Sequence, residues 1–345
     1  MRVAIAHVGG KYSYPGVAGE QFTEGCDAIW ASGCRTLKIY CTSGYQTFDY
    51  PNQTWTGSPT TLTTLAQCPE FATQLNRGWT TVIITAFTFA NNPSSITNGW
   101  RVNPSSAYMT AEYTEFRAFA EHLLSTYSAT GTEFRLQNWE GDWAYMDAFV
   151  VETAVDRTML DRYAAFLGTR QRAVSDARKA VASNCKILNV VECNRVLDAR
   201  VKPHLRRILR DLSRRIEPDV LSWSAYDGTI VDQGGFGASL AAWQAATIPI
   251  MKKCIRAMRN AFPNALIQIG EFGFPEGIEM PVGRDIGAMV QTVYDVALAE
   301  GVDIFTYWQF FDNEETSPGV PRGFWVMKPD GSYSLAGTKL LTLMP

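Results

Sequence analysis

The chain has 345 residues, of which 46% are hydrophobic and 19% are charged, and its formal net charge is −3. So small a charge gives no electrostatic footprint for nucleic acid, and no run of about 18 apolar residues predicts a membrane-spanning helix. The length suits either two ordinary domains or one large α/β barrel.

In the first half of the chain, apolar runs alternate with stretches of helical periodicity. These patterns predict strands at 3–8, 36–40, 81–87 and 134–140, and helices at 22–31, 62–76, 111–127 and 159–181. The loops that follow the strands are long and rich in aromatic residues. Long, aromatic loops at one end of a sheet are typical of a ligand-binding surface.

The second half of the chain repeats the same alternation. It predicts strands at 186–191, 219–226, 267–274 and 303–310, helices at 202–216, 240–261 and 335–343, and another helix that starts at Ile286 and ends at Gly301. In the helix at 202–216, basic residues surround an apolar stripe. The basic segment 204–215 is therefore predicted to be a solvated outer face, remote from any site, and not an anion site.

Eight strand-then-helix units follow one another without a break in composition. Strands that alternate with helices form a parallel sheet, and eight units in this length predict a closed (β/α)8 TIM barrel. Residues 1–345 are accordingly predicted to be a single catalytic domain. An open, doubly wound sheet is the alternative.

Two glutamates stand at the ends of predicted strands. Glu271 lies between Gly270 and Gly273 at the end of strand seven, and Glu140 lies at the end of strand four. Barrel enzymes carry their functional residues at these strand ends. Two carboxylates that face each other across a cleft can serve as the acid and the nucleophile of a retaining glycosidase. Asp142 competes with Glu140 for the acid role.

These segments resemble clan A of the glycoside hydrolases, which are (β/α)8 barrels. The resemblance rests on Glu140 and Glu271, on Tyr226 at the end of strand six and on Trp308 at the end of strand eight. It implies that Glu140 is the acid/base and that Glu271 is the nucleophile. It further implies that Asn138 binds the sugar hydroxyl beside the reacting carbon, that Tyr226 hydrogen-bonds to the nucleophile and that Trp308 forms the floor of the sugar site.

The chain departs from the clan pattern at two places. Trp139 separates Asn138 from Glu140, and Ser224 stands where the clan often has a histidine. On physical grounds, the nucleophile needs a hydrogen-bond donor or a nearby cation to stay ionised. The acid needs a raised pKa, which crowding by Trp139 and Trp143 and the charge of the other glutamate would supply.

Other residues are candidates by position. Glu192, at the end of strand five, either binds substrate or pairs with Lys38 or Arg195, and Lys38 is kept with it as a binding candidate. His7, at the end of strand one, either touches substrate or is a satisfied structural histidine. Aromatic residues in the strand-end loops are either sugar-stacking platforms or loop packing; they are Tyr12, Tyr45, Trp55, Trp100, Trp143, Tyr145 and Trp325.

Other chemistries find little support. The three histidines form no metal motif, no G-x-S-x-G occurs, and the glycine-rich stretch 234–237 lacks the dinucleotide pattern. Neither a metal nor a cofactor is therefore expected. Seven cysteines without a C-x-x-C indicate no zinc site or redox pair and leave open whether disulfides form among Cys26, Cys34, Cys41 and Cys68.

The sequence thus predicts a retaining glycoside hydrolase that cleaves an oligo- or polysaccharide, with a β-linkage implied by the clan. The alternatives are an inverting glycosidase or a transglycosylase on the same barrel, or a carbohydrate-binding barrel without catalysis. Carbohydrate is the expected partner, without nucleic acid or membrane insertion. The start of the chain lacks a signal-peptide core, so a mature or cytoplasmic form is expected, with an extracellular or periplasmic place if a signal has been removed.

Overall fold

Eight parallel strands close into a barrel in which each strand pairs with the next and β8 pairs with β1. The computed structural model describes residues 1–8, 19–90, 99–102, 105–146, 150, 152–230, 239–276 and 284–344. The barrel strands are β1 (Arg2–Ala6), β2 (Thr36–Cys41), β3 (Thr81–Ala86), β4 (Glu133–Gln137), β5 (Lys186–Cys193), β6 (Val220–Ser224), β7 (Leu266–Phe272) and β8 (Ile304–Tyr307). The predicted (β/α)8 fold is confirmed.

Helices surround the barrel within the described ranges. They are α1 (Gln21–Ala31), α2 (Leu62–Ala66), α3 (Pro69–Leu75), α4 (Gly99–Val102), α5 (Ser106–Thr126), α6 (Gly141–Met146), α7 (Arg157–Ala180), α8 (Val196–Val201), α9 (Ile208–Asp211), α10 (Tyr226–Thr229), α11 (Leu240–Ala261), α12 (Ile286–Ala299) and α13 (Leu335–Leu343). A π-helical turn covers Tyr45–Asp49, a 3₁₀ turn covers Ser128–Thr130, and a small hairpin joins β9 (Glu315–Ser317) to β10 (Val320–Pro321). None of the described helices is both long and apolar enough to cross a membrane.

The long outer helices begin where the sequence supplies a capping side chain. In each case a side-chain oxygen accepts the backbone N–H three residues on, which satisfies a donor that the first turn of a helix leaves free. The capping residues are Ser105 before α5, Asp156 before α7, Ser239 before α11, Asp285 before α12 and Ser334 before α13. Each such cap contributes about 1 kcal/mol to helix stability.

Two predicted helices differ from the structure. The helix predicted at 62–76 is interrupted, because Pro69 has no N–H to continue α2 and instead opens α3. The helix predicted at 202–216 is wrong: within this range the chain forms only the short α9 (Ile208–Asp211). Pro203 disfavours a helical residue before it, and the Asp142 carboxylate binds the N–H of Ile208 at 2.9 Å, which holds the intervening segment as a loop.

A column of polar side chains runs through the barrel interior. At the N-terminal ends of the strands, Arg135 is fully buried and donates to Gln268 at 2.7 Å. Gln268 then donates to Ser222 at 3.1 Å, and Ser222 donates to Glu192 at 2.9 Å. Buried polar groups are tolerated when hydrogen-bonded in this way. The column therefore leads to the carboxylates at the strand ends and helps to fix their positions.

All seven cysteines are buried and free, so the disulfides that the sequence left open do not form. Burial raises the pKa of Cys34 to about 11 and of Cys254 to about 12, which keeps these thiols protonated at neutral pH. They pack as small apolar side chains.

Candidate active site

Glu140 lies three residues beyond the end of β4, immediately before α6. Its side chain is nearly buried, at 9% exposure. The Ser224 hydroxyl donates to Oε1 of Glu140 at 2.5 Å, and the backbone N–H of Glu140 donates to Oε1 of Glu192 at 3.2 Å. Strand β6 thus holds the carboxyl of Glu140, and strand β5 holds its backbone.

Glu271 lies within β7 and is 3% exposed. Its Oε1 is 2.6 Å from Nζ of Lys38, a fully buried residue on β2. The same ammonium donates to the carbonyl oxygen of Gly270 at 3.0 Å and lies 3.6 Å from Oε2 of Glu192. One buried cation therefore serves two carboxylates, and the predicted pairing of Glu192 with Lys38 is present.

Ser224 connects the two candidate catalytic glutamates. It is the register partner of Glu271 across β6 and β7, and its hydroxyl binds Glu140. The two carboxyl groups also affect each other's ionisation, because the charge of Glu271 contributes to raising the pKa of Glu140. Glu140 and Glu271 thus belong to one electrostatic cluster.

The members of the cluster differ in acidity. Burial, followed by repulsion from Glu271, raises the pKa of Glu140 well above its usual range. Burial also raises the pKa of Glu271, but the Lys38 cation opposes this effect and the value reaches only about 7. Burial likewise lowers the pKa of Lys38, yet attraction to Glu192 and Glu271 outweighs it and leaves the pKa raised. As the pH rises, Glu271 therefore loses its proton before Glu140.

The small size of Gly270 makes room for this arrangement. A Cβ atom there would lie 2.0 Å from Oγ of Ser222 and 2.2 Å from Oε2 of Glu192. No real Cβ contact is that short, and both neighbours are buried and hydrogen-bonded. Glycine thus lets strands β5, β6 and β7 bring their polar side chains together next to Glu271.

Asn138 occupies a different environment from the one the resemblance implies. Its Oδ1 accepts the N–H of Glu192 at 2.9 Å, and its Nδ2 donates to the carbonyl oxygen of Glu192 at 3.1 Å. Nδ2 also lies 3.2 Å from the hydroxyl of Tyr163 and from the carbonyl oxygen of Trp139. The amide is therefore occupied by protein and clamps the end of β4 to β5.

Asp142, the competitor of Glu140, is fully buried. Its carboxylate accepts the backbone N–H of Asn194 at 3.0 Å, of Arg195 at 3.1 Å and of Ile208 at 2.9 Å. Through these bonds, the Asp142 carboxylate stabilises the loops that follow β5. Arg195, the other predicted partner of Glu192, instead places its Nε 2.9 Å from Asp198.

Three further aromatic candidates, Trp143, Tyr226 and Trp308, follow strands β4, β6 and β8. Tyr226 is half-buried, and its pKa is raised by burial and then by the charge of Glu271. Its hydroxyl makes no hydrogen bond to Glu271 in the part of the chain that the structure describes. Trp308 is 8% exposed and its indole N–H donates to Glu314 at 3.0 Å. Trp143 is half-buried, with the Arg195 guanidinium 5.3 Å from its ring centre.

His7 is inaccessible to solvent. Its ring is fully buried, packs 6.2 Å from the Phe22 ring, and places Nε2 2.9 Å from the carbonyl oxygen of Gln21. Burial lowers the pKa of His7 to about 4, so it is neutral at physiological pH. Of the two roles that the sequence left open, this placement favours the structural one.

Most of the loop aromatics belong to the core. Tyr45, Trp100 and Tyr145 are at most 5% exposed, and Trp55 stacks on Phe71 with ring centres 5.1 Å apart. Trp325 is 9% exposed. Tyr12 lies outside the described residues. Loop packing therefore accounts for most of a set that the sequence offered as stacking platforms.

Comparison with known proteins relates this barrel to carbohydrate-active enzymes. No protein-family model matches the chain, and no curated protein sequence matches it. Among solved structures, a GH5_18 from Bifidobacterium longum subsp. infantis aligns with a TM-score of 0.62 at 14% identity, over 100% of this chain and 78% of that chain. A GH5-4 broad specificity endoglucanase from Bacteroides salanitronis aligns with a TM-score of 0.57 at 12% identity, over 97% of this chain and 86% of that chain.

A β-glucuronidase from Bacteroides uniformis aligns with a TM-score of 0.59 at 11% identity. The alignment covers 100% of this chain but 35% of the glucuronidase, so the chain spans about a third of that protein. This chain has the barrel fold of glycoside hydrolases. The resemblance to clan A is thereby confirmed at the level of fold.

Sequence reasoning missed three residues of the cluster. Burial raises the pKa of Tyr40 on β2 well above the usual range, and the nearby charges of Glu271, Glu192 and Glu140 raise it further. In the sequence, Ser224 stands out only as a departure from a histidine, although its hydroxyl donates to the Glu140 carboxyl. Glu314, which holds the Trp308 indole, follows β8 without any motif. For Tyr40 and Ser224, the position at a strand end is the only sequence signal that points to the site.

Proposed function

We propose that this protein is a retaining glycoside hydrolase in which Glu140 is the acid/base and Glu271 is the nucleophile. The observation that carries the proposal is the unequal environment of the two glutamates. Lys38 contacts Glu271 at 2.6 Å, whereas Glu140 receives a neutral hydroxyl from Ser224. Their pKa values are therefore separated in the direction that a protonated acid and an ionised nucleophile require.

In the first step, the carboxylate of Glu271 attacks the anomeric carbon and the bond to the leaving oxygen breaks. Glu140 donates its proton to that oxygen, and the sugar remains as an ester of Glu271. The ester is neutral, so the repulsion that raised the pKa of Glu140 is lost. Glu140 can then take a proton from water, which displaces the sugar and regenerates the Glu271 carboxylate.

We further propose a β-linked oligo- or polysaccharide as the substrate. Trp308, Trp143 and Tyr226 would provide faces and edges for sugar rings next to the two carboxyls. The names of the structural neighbours, an endoglucanase and a β-glucuronidase among them, support a carbohydrate substrate. Asn138 is proposed as a clamp of the site, and His7 as a structural residue.

Chemical rescue of two variants tests the roles. Wild type, Glu140→Ala and Glu271→Ala would be assayed on a panel of aryl β-glycosides with and without azide. We expect each variant to lose roughly a hundredfold to ten-thousandfold in kcat. Azide should restore turnover, giving a β-glycosyl azide from Glu140→Ala and an α-glycosyl azide from Glu271→Ala, identified by proton NMR. The exposed Glu217→Gln is the matched control and should keep full activity.

Other results would contradict the proposal. An inverted anomer as the first product of wild type would indicate an inverting enzyme, with Glu271 acting as base. Unchanged turnover in either alanine variant would remove that residue from the mechanism. Tight sugar binding by a wild-type protein that turns over no glycoside of the panel would favour a binding barrel.

A further inference from the structure

A cavity of about 680 Å³ lies on the flank of the barrel, away from the glutamate cluster. It is bounded by α7, by the C-terminal part of α11 and by the segment that contains α8 and α9. A full-length helix between β5 and β6 would fill this space in a regular barrel, but here the chain forms two short helices instead. The missing helix therefore leaves a groove.

The groove is strongly basic. Six arginines line it, against one acidic residue, Asp211, among the described lining residues; the arginines are Arg157, Arg200, Arg206, Arg210, Arg214 and Arg215. Arg210 pairs with Asp211 at 3.2 Å, and Arg215 pairs with Asp161. The other four form no ion pair with any carboxylate in the described part of the chain.

Such a cluster contrasts with the protein as a whole, whose formal net charge is −3. Like charges around one groove repel each other and oppose folding, unless anions occupy the groove. The guanidinium group presents its N–H donors as a planar fork, which matches the oxygens of carboxylate and sulfate groups. Leu160 and Leu209 also border the groove but are only 4% exposed, so the arginines supply most of its accessible surface.

We propose that this arginine groove binds an anionic sugar chain, one that carries carboxylate or sulfate groups, in place of the solvated outer face without an anion site that the sequence predicts for segment 204–215. The described lining includes no aromatic side chain, whereas single-stranded nucleic acids bind through stacked aromatics, so charge is the feature recognised here. The choice of a sugar chain as the polyanion rests on the proposed glycosidase function; the anion site itself does not. The groove would hold a substrate chain, or a neighbouring one, on the flank of the barrel.

A contact joins the groove to the catalytic segment. Ile208 begins α9, whose Leu209 and Arg210 line the groove, and its N–H binds the carboxylate of Asp142, two residues after Glu140. Arg206 lies close enough to Tyr145 of α6 to affect its ionisation. A chain bound in the groove would thus contact α9, which a hydrogen bond joins to the segment that carries the acid/base.

The test compares binding of a heparin oligosaccharide, which carries both sulfate and carboxylate groups, with binding of neutral dextran. The groove variant combines Arg200→Gln, Arg206→Gln and Arg214→Gln. The control variant combines Arg172→Gln, Lys179→Gln and Lys253→Gln, which remove the same charge from exposed positions outside the groove on α7 and α11. Affinities would be measured by calorimetry across a range of salt concentrations.

We expect wild type to bind heparin but not dextran, with an affinity that falls as salt rises. The groove variant should lose on the order of tenfold or more in affinity, while the control variant changes little. Equal losses in both variants, or no binding by wild type at low salt, would overturn the proposal. Tighter binding of a single-stranded oligonucleotide of equal charge would replace the sugar chain by nucleic acid. Heparin binding by Glu271→Gln separates this test from the catalytic proposal, because it requires no turnover.

Discussion

Lys38 and Glu271 form an ion pair that crosses the interior of the barrel, with Nζ on β2 lying 2.6 Å from Oε1 on β7. Strands β1 and β8 separate the two residues around the sheet, so only closure of the barrel brings them together. Breaking a buried pair of this kind costs more than an exposed one, because the remaining charge has no water to solvate it.

Lys38→Met should move the ascending limb of the kcat/KM profile to higher pH. Glu271 must be ionised to attack, and its pKa of about 7 is held down by Lys38, so removing the cation raises that pKa. The pH dependence of kcat/KM on an aryl glycoside measures the shift. Lys252→Met on α11 is the control and should leave the limb in place. An unchanged limb in Lys38→Met would mean that Glu271 does not set it.

Ser224→Ala should move the descending limb of the same profile to higher pH. The Ser224 hydroxyl donates to Glu140 and lowers the pKa of that carboxyl, so its loss raises the pKa and keeps the acid protonated for longer. Ser125→Ala, at an exposed position near the end of α5, serves as the control. A descending limb that moves to lower pH would show that the hydroxyl stabilises the protonated acid instead.

Gly270→Ala should lower both stability and activity. Its Cβ would lie 2.0 Å from Oγ of Ser222, and forcing extra volume into a packed core costs about 1–3 kcal/mol. Gly168→Ala in α7 meets no atom within 4 Å and should raise stability by roughly 0.5–1 kcal/mol. Urea unfolding of both variants gives the two free energies. The idea of a crowded strand junction fails if both variants are stabilised.

Asn138→Ala distinguishes a clamp from a sugar ligand. The clamp predicts a loss of about 1–3 kcal/mol of unfolding free energy, because the buried N–H and carbonyl oxygen of Glu192 lose their partners. Asn184→Ala, at an exposed position, should change little. A sugar ligand would instead leave stability intact and lower kcat/KM alone, so unfolding and kinetics measured on the same preparation decide between the two roles.

Local patterns allowed the elements to be predicted because they act within short stretches. Apolar runs marked each barrel strand, and the bounds of α11 and α13 agree with the predicted 240–261 and 335–343. The segment at 202–216 failed for the opposite reason. Its periodicity is helical and its stripe is buried, with Ile208 and Leu212 at 0% exposure. However, the Ile208 N–H donates to the carboxylate of Asp142, which is distant in the sequence. No local sequence pattern predicts that bond.

The sequence by itself determined the barrel and the strand-end positions of Glu140 and Glu271, because alternation and strand count depend on neighbours along the chain. Tertiary structure alone decided that Lys38 reaches Glu271, that Ser224 reaches Glu140 and that His7 is sealed in the core. The physical reason is that both faces of a barrel strand are buried. The periodicity of hydrophobic residues therefore does not distinguish side chains that point into the barrel from those that point outward. Closure of the sheet and its register set those partners, and they depend on all eight strands at once.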